Sequence, residues 1–262
     1  MVAMDAIDYV NSKYIREIAS KKIREDGRDS FSYRSINITK SLIDNAEGSA
    51  QADLGATRVM AGIKMVVESP MEDTPDQGNL IVSAELLPLA SPDFESGPPS
   101  PESIELARVV DRGIRAAECI DLSSLLIEEG KSWSVYLDLY ILNYDGNLFD
   151  AGMLAAMSAL KSARMPAYRD GKAVMKERTT PLKINNVVSS CTFAKIGSTI
   201  VLDPTSNEER AADARMTIET DGSMIRAMQK GLSGSFSRSE ISSMIDVAFD
   251  KHSELKAHID KG

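Results

Sequence analysis

Two successive groups of short strand-like segments, each followed by helical patterns, constrain the fold of this 262-residue chain most strongly. Alternation of apolar and polar residues, with β-branched residues, predicts a first strand group over residues 35–39, 48–54, 58–67 and 80–85. The tight link Gly55-Ala56-Thr57 predicts a hairpin within this group. A second strand group is predicted over residues 182–184, 190–195, 199–202, 215–219 and 224–229. Strands followed by helices, twice over, indicate an α+β architecture of two similar halves.

Helical periodicity and capping residues predict the positions of the helices. Residues 5–24 are amphipathic, and Ser100-Pro101-Glu102 predicts the start of a helix that ends near residue 119. A short helical piece is expected over residues 122–127. A long central strand over 133–143 precedes a helix over 149–163, and the capping box Ser237–Glu240 begins the last helix.

These patterns divide the chain into four parts. Residues 1–25 form an N-terminal helix, and residues 26–165 form a first domain. Residues 166–181 are polar and poorly patterned, so we expect a linker or exposed loop. Residues 182–262 form a second domain.

The charge balance limits the classes of function. The chain has 39 acidic and 30 basic residues, and aromatic residues make up only 5%. An autonomous nucleic-acid-binding protein is usually basic overall, so any RNA contact should be local and shared with a partner. No apolar run approaches the roughly 20 residues of a membrane span, and the N-terminus lacks a signal-peptide pattern, so the cytoplasm is the expected compartment.

The cysteines and histidines are too few and too scattered to predict a metal site. Cys119 and Cys191 lie in apolar segments and are expected to be small buried residues. His252 and His258, six residues apart in the last helix, are expected at the surface. We therefore expect no metal and no cofactor.

Three arginines give the strongest local signal for binding. Arg108, Arg112 and Arg115 are spaced i, i+4 and i+7, so they share one helix face, and we call them the arginine row. Guanidinium groups bind phosphate oxygens bidentately, which suits an RNA backbone. The alternative is a solvated face in which Asp111 and Glu118 pair with these arginines along the helix.

Several long motifs resemble the RNase PH family, and more narrowly the non-catalytic ring subunits of archaeal exosomes. They include AELLPLASPDFESGPPSPESIELARVVDRGIRAAECIDL, YILNYDGNLFDAGMLAAMSAL, LDPTSNEERAADARMTI and AMQKG, together with Asp26-Gly27-Arg28. The resemblance covers nearly the whole chain. It implies two RNase PH-like domains packed in one compact subunit.

The resemblance also implies partners and an activity. Such subunits alternate with a catalytic RNase PH-type subunit in a hexameric ring of three heterodimers, which carries RNA-binding cap proteins. Single-stranded RNA is shortened from its 3′ end by phosphate. Arg108 and Arg112 fit the RNA-contacting positions of the family, and Arg115 extends their row. Three weaker candidates for the RNA path are Arg28, Arg34 and Lys64.

The sequence departs from the family at the catalytic positions. Asn147-Leu148-Phe149 stands where an active subunit has its phosphate-binding Gly-Ser-Arg or Gly-Thr-Arg. Asp203 matches the first aspartate of the family's catalytic pair, but Glu209 replaces the second. We therefore expect a non-catalytic subunit that binds RNA and structures the active site of its partner.

Two alternatives remain open at this point. The chain could be a self-sufficient phosphorolytic exoribonuclease that uses Asp203 and Glu209, or a scaffold whose arginine row binds acidic side chains of the partner. The structural interpretation of these carboxylates is that Asp203 caps its own strand-end turn and that Glu208 and Glu209 are a surface pair.

Overall fold

The first sheet is built around one long strand. The computed structural model describes the backbone of residues 6–261 and the side chains of residues 9–261. The six strands are β1 (Ile36–Lys40), β2 (Gly48–Leu54), β3 (Thr57–Glu68), β4 (Asn79–Leu86), β5 (Leu126–Glu128) and β6 (Lys131–Asn143). The main path runs β1-β2-β3-β6-β4, and β5 pairs with β6. β4 and β6 are parallel, and the other pairs are antiparallel.

The first half of the chain contains three helices, α1 (Ala6–Ser20), α2 (Pro101–Ala116) and α3 (Leu148–Ser162). α2 packs against β4 of the first sheet, whereas α1 packs against Ala194, Ile196 and Val201 of the second sheet. α3 is buried along residues 149–160, because it packs against β2 and β3 of the first sheet and also against the strand Ser189–Ile196 of the second. The middle of the molecule is therefore a helix between two sheets.

The second half repeats the order of strands and then helices. Its strands and helices are β9 (Ser189–Ile196), β10 (Thr199–Leu202), α4 (Ser206–Ala211), β11 (Ala214–Thr220), β12 (Ile225–Gly231) and α5 (Arg238–Lys261). The sheet order is β10-β9-β11-β12, with antiparallel pairing throughout. The predicted α+β fold of two similar halves is confirmed.

The prediction of a linker over residues 166–181 is wrong. The chain there forms an antiparallel hairpin of β7 (Arg164–Arg169) and β8 (Lys172–Pro181). Asp170-Gly171 makes the turn, with φ angles of +51° and +75°, and two successive positive φ angles are typical of a tight hairpin. The Asp-Gly signal was present, but the flanking residues are polar because the hairpin is largely exposed.

Two shorter predictions also need correction. The expected helical piece over residues 122–127 is a 3₁₀ turn, Leu122–Leu125, that runs directly into β5. The expected strand over residues 182–184 makes only an isolated bridge, between Ile120 and Ile184. Both segments are too short for local propensity to decide their structure.

The cysteines behave as predicted, whereas one histidine does not. Cys119 and Cys191 are buried and free, and burial raises the pKa of Cys119 to about 12. His252 is buried rather than on the surface, because α5 packs against β9 and β11, and its Nδ1 lies 2.8 Å from Ser189 Oγ on β9. In the described part of the chain, no helix is long and apolar enough to cross a membrane.

Gly113 lets α2 approach the rest of the core closely. A Cβ atom there would lie 2.7 Å from Met153 Cε and 2.8 Å from the Glu219 carboxyl, and both of those side chains are buried. We expect Gly113→Ala to lower the free energy of unfolding by about 1–2 kcal/mol, since overpacking exceeds the gain in helix propensity. Urea denaturation measures this change.

Gly62 provides the matched control, since a Cβ atom at that position would meet nothing within 4 Å. Gly62→Ala should leave the free energy of unfolding unchanged or slightly higher. Equal effects of the two substitutions would contradict the close approach at Gly113.

Candidate nucleic-acid interface

The arginine row lies on the outer face of α2. Ser100 caps the helix by accepting a hydrogen bond from the Ser103 backbone N–H at 3.2 Å, and Pro101 occupies the first turn. The opposite face is buried, through residues that include Leu106, Val109, Val110 and Ile114. Because these apolar positions fix the rotation of the helix, all three arginines are exposed to solvent.

The three arginines differ in the number of hydrogen bonds and ion pairs that they make with neighbouring residues. Among the described residues, Arg108 has no side-chain hydrogen bond or ion pair. Arg112 donates one hydrogen bond, from Nη1 to Gln229 Oε1 at 3.1 Å. Arg115 donates from Nε to both Asp111 oxygens, at 2.8 and 3.0 Å, and from Nη2 to the Leu80 carbonyl. Arg108 and Arg112 are therefore the members best able to bind a phosphate.

A chain of polar contacts connects Arg112 with the start of α3. Gln229 donates from Nε2 to Glu105 Oε1 at 3.0 Å, and Arg215 donates to Glu105 Oε2 at 2.9 Å. The Arg215 guanidinium lies 4.4 Å from the centre of the Phe149 ring, within cation–π distance. Sequence patterns did not single out Gln229, Glu105 or Arg215, because polar residues of two distant segments meet here only in the folded chain.

The start of α3 is the place where an active relative would hold phosphate. Asn147 is fully buried with φ +56°, and its side chain caps the helix by accepting from the Asp150 backbone N–H. The Asn147 N–H donates to Glu209 Oε1 at 2.9 Å. Phe149 is buried in the first turn. Two backbone donors at this helix start, the N–H groups of Asn147 and Asp150, are thus bound to the protein's own oxygens.

Asp203, which matches the first aspartate of the family's catalytic pair, is completely buried. Arg28 donates to Oδ2 at 2.9 Å, while Arg34 donates to Oδ1 at 2.7 Å and to Oδ2 at 3.0 Å. Asn147 adds a bond from Nδ2 to Oδ1 at 2.8 Å. Asp203 is therefore not the simple strand-end cap expected from the sequence, because two arginines and an amide hold its carboxylate.

Ion pairs within the subunit argue against the three weaker candidates for the RNA path. Arg28 and Arg34 point inward to Asp203, and only 14% and 8% of their side-chain surfaces are exposed. Lys64 pairs with the buried Glu47 carboxylate at 2.9 Å, although the lysine itself stays partly exposed. Their positive charges are already neutralised within the subunit.

Glu208 and Glu209 are not the surface pair that the sequence predicted. Glu208 is buried against Arg24, with an N–O distance of 2.6 Å, and completes the capping box of α4 with Thr205. Glu209 accepts from the Tyr144 hydroxyl at 2.7 Å, and burial raises the pKa of this carboxyl. The signal available in advance was the Thr205–Glu208 spacing, which is that of a capping box.

Asp150 completes a carboxylate cluster with Asp203 and Glu209. It accepts hydrogen bonds from Tyr33, Ser190 and the Thr192 backbone at 2.8–3.0 Å. Burial raises its pKa to about 6, although these bonds oppose the shift. Near the start of α3, the Arg28 and Arg34 guanidinium groups are paired with Asp203 and are therefore not available to an incoming phosphate.

Two family models together match most of the chain. Residues 32–166 match the first domain of the 3′ exoribonuclease family, and residues 186–251 match its second domain. Exosome complex component Rrp42 from Methanothermobacter thermautotrophicus is 44% identical, with 98% of this chain and 97% of the relative covered. The Thermococcus gammatolerans component of the same name is 46% identical, with 89% and 88% covered.

A solved structure is similar over nearly the full length. A chain of the Archaeoglobus fulgidus exosome with RNA bound to the active site has a TM-score of 0.90 and 40% identity, with coverage of 97% of this chain and 99% of that chain. The order of strands and helices, the two matched domains and the full-length similarity agree with one another. This chain therefore belongs to the RNase PH, or 3′ exoribonuclease, family.

Proposed function

We propose that this protein is a non-catalytic subunit of an archaeal exosome ring, in which it binds RNA and structures the active site of a catalytic RNase PH-type partner. The observation that carries the proposal is the contrast between two sites in one chain. The carboxylate cluster of Asp150, Asp203 and Glu209 is closed by internal bonds, whereas Arg108 and Arg112 face solvent. The chain can thus bind phosphates without carrying out phosphorolysis.

The names of the relatives support the proposed assembly. Proteins that are 44–46% identical over nearly full length are named as exosome components, and a similar chain comes from an exosome with RNA in its active site. We place this subunit in a hexamer of three heterodimers in the cytoplasm, with RNA-binding cap proteins and single-stranded RNA as further partners. A subunit with net charge −9 needs such partners to hold RNA.

The partner would supply the reacting phosphate and the acid that the chemistry requires. This subunit would supply positive charge beside the RNA path and a packed surface that fixes the partner's loops. Misplacement of a substrate by about 1 Å can reduce a rate on the order of 100-fold, so a non-catalytic neighbour can control activity through position alone.

A self-sufficient exoribonuclease is disfavoured by specific contacts. Catalysis by Asp203 would require it to leave Arg28 and Arg34, and Glu209 would have to release the Asn147 N–H. Phe149 stands where a phosphate-binding arginine would be needed. The salt dependence of RNA affinity distinguishes the scaffold alternative from RNA binding by the arginine row. If the arginine row binds acidic residues of the partner instead of RNA phosphates, RNA affinity should depend only weakly on salt.

A phosphorolysis assay tests this proposal directly. This chain, its catalytic partner and an equimolar mixture are each incubated with single-stranded RNA and inorganic phosphate, and nucleoside diphosphates are quantified. We expect full activity in the mixture together with a mass of six subunits, and none above background from this chain alone. Nucleoside diphosphates formed by this chain alone would overturn the proposal and assign catalysis to Asp203.

A further inference from the structure

Glu219 is a buried carboxyl group without a hydrogen-bond partner. It lies near the end of β11 beneath α2, only 1% of its surface is exposed, and neither of its carboxyl oxygens has a hydrogen-bond partner among the described residues. The carboxyl is directly against Gly113, whose missing Cβ leaves the space it occupies. A buried carboxylate without donors is costly, so this environment favours the neutral acid.

The charges around Glu219 come from two helices. Arg112 on α2 is the cation close enough to favour the ionised form, and Asp150 on α3 opposes it. Its neighbours across the sheet, Ser190 on β9 and Ala227 on β12, are uncharged. Burial outweighs the effect of Arg112 and raises the pKa of Glu219 to about 8.

Arg112 has a hydrogen-bond acceptor in Gln229 and a buried carboxyl group near it in Glu219. Its present hydrogen bond goes to the neutral Gln229 amide at 3.1 Å, which leaves its charge available to a ligand outside. An ionised Glu219 beneath it would attract the guanidinium inward and reduce the positive potential at the surface. The same arginine cannot serve a buried carboxylate and an RNA phosphate equally well.

We propose that Glu219 is a positioning residue for RNA: as a neutral acid it leaves Arg112 free to bind a phosphate, and its ionisation weakens RNA binding. The inference rests on the proposed role of Arg112 at the RNA path. Protonation of Glu219 would make RNA affinity depend on pH, which the arginine row by itself would not do.

The sign of the effect follows from linkage. RNA disfavours a negative charge beneath Arg112, so RNA raises the pKa of Glu219 and the complex takes up a proton. RNA affinity should be constant well below pH 8 and should fall as the pH rises through the pKa of about 8 of the free protein. We expect a loss of about threefold to tenfold between neutral and alkaline pH.

The test measures RNA affinity of the assembled complex by fluorescence anisotropy from slightly acidic to alkaline pH. Four complexes are compared, all with the unaltered catalytic partner: wild type, Glu219→Gln, Arg112→Ala and Glu118→Gln. Glu118 is an exposed carboxyl beyond the end of α2, so its variant controls for loss of one negative charge. The alkaline loss should persist in Glu118→Gln and disappear in Glu219→Gln and in Arg112→Ala.

The outcomes separate this inference from the proposed function. If Arg112→Ala weakens RNA binding at every pH but wild type and Glu219→Gln share one pH profile, the inference is wrong and the RNA role stands. If Arg112→Ala leaves RNA affinity unchanged at every pH, Arg112 has no role in RNA binding, and the inference about Glu219 falls with that role. Arg112 is exposed, so its variant still reports the pH profile if Glu219→Gln fails to assemble.

Discussion

Replacement of Arg108 and Arg112 together by alanine should lower the RNA affinity of the assembled complex by about 10- to 100-fold at low salt, with no change in the mass of the complex. Each lost phosphate contact removes a charge-assisted hydrogen bond and the release of bound counterions. For two contacts with a single strand, the slope of log affinity against log salt should become shallower by about 1.4. Anisotropy titrations at several salt concentrations measure both quantities.

The control removes the same charge elsewhere. Arg169 and Lys172 lie on the exposed β7–β8 hairpin, so their double alanine variant carries the same net charge as the test variant. We expect this control to keep wild-type affinity and wild-type salt slope. An arginine-row variant with both quantities unchanged would exclude the channel role and favour an arginine row that binds partner side chains.

The largest effect on stability is expected from Asp203→Asn. The substitution keeps the shape of the side chain, and asparagine tolerates the left-handed φ of +52° at this position. It removes the negative charge between Arg28 and Arg34, and the only counterions left to these largely buried arginines are Asp26 at 2.6 Å and Asp145 at 3.3 Å among the described residues. We expect the free energy of unfolding to fall by about 2–4 kcal/mol in urea denaturation of the isolated chain.

Glu17→Gln provides the comparison for an ion pair in solvent. Glu17 pairs with Lys21 on the exposed side of α1, and both side chains are mostly exposed. Loss of this pair should cost less than about 1 kcal/mol. If Asp203→Asn proved equally mild, the ion pairs of Arg28 with Asp26 and of Arg34 with Asp145 would be sufficient for stability, and the Asp203 carboxylate would not be the structural centre described here.

Periodicity and capping predicted most of the fold because they act locally. β2 was predicted with its observed bounds, and α2 begins at the proline that its cap announced. The β7–β8 hairpin was missed, since an exposed hairpin needs little apolar alternation and its Asp-Gly turn was read as a loop. α4 was missed because a six-residue helix depends on its capping box and its packing.

The candidate site was less predictable than the fold, because its contacts join residues that lie far apart in the sequence. Spacing alone placed Arg108, Arg112 and Arg115 on one helix face, and the exposure of all three matches that spacing. The role of these arginines in RNA binding stays a prediction. The contacts of Asp203 could not be read from the sequence, because its partners Arg28 and Arg34 lie about 170 residues away, as the separations of 175 and 169 show.

The internal bonds of the carboxylate cluster bear on how such a subunit can evolve. A return to phosphorolysis would need a new anion cradle at Leu148 and Phe149, and the Asn147 N–H would have to be released from Glu209. Each step alone would leave buried donors or charges unpaired, and the protein would lose stability before it gained any activity. In the proposed assembly, these internal bonds would maintain the division of labour between this subunit and a catalytic partner, even without selection against a second active site.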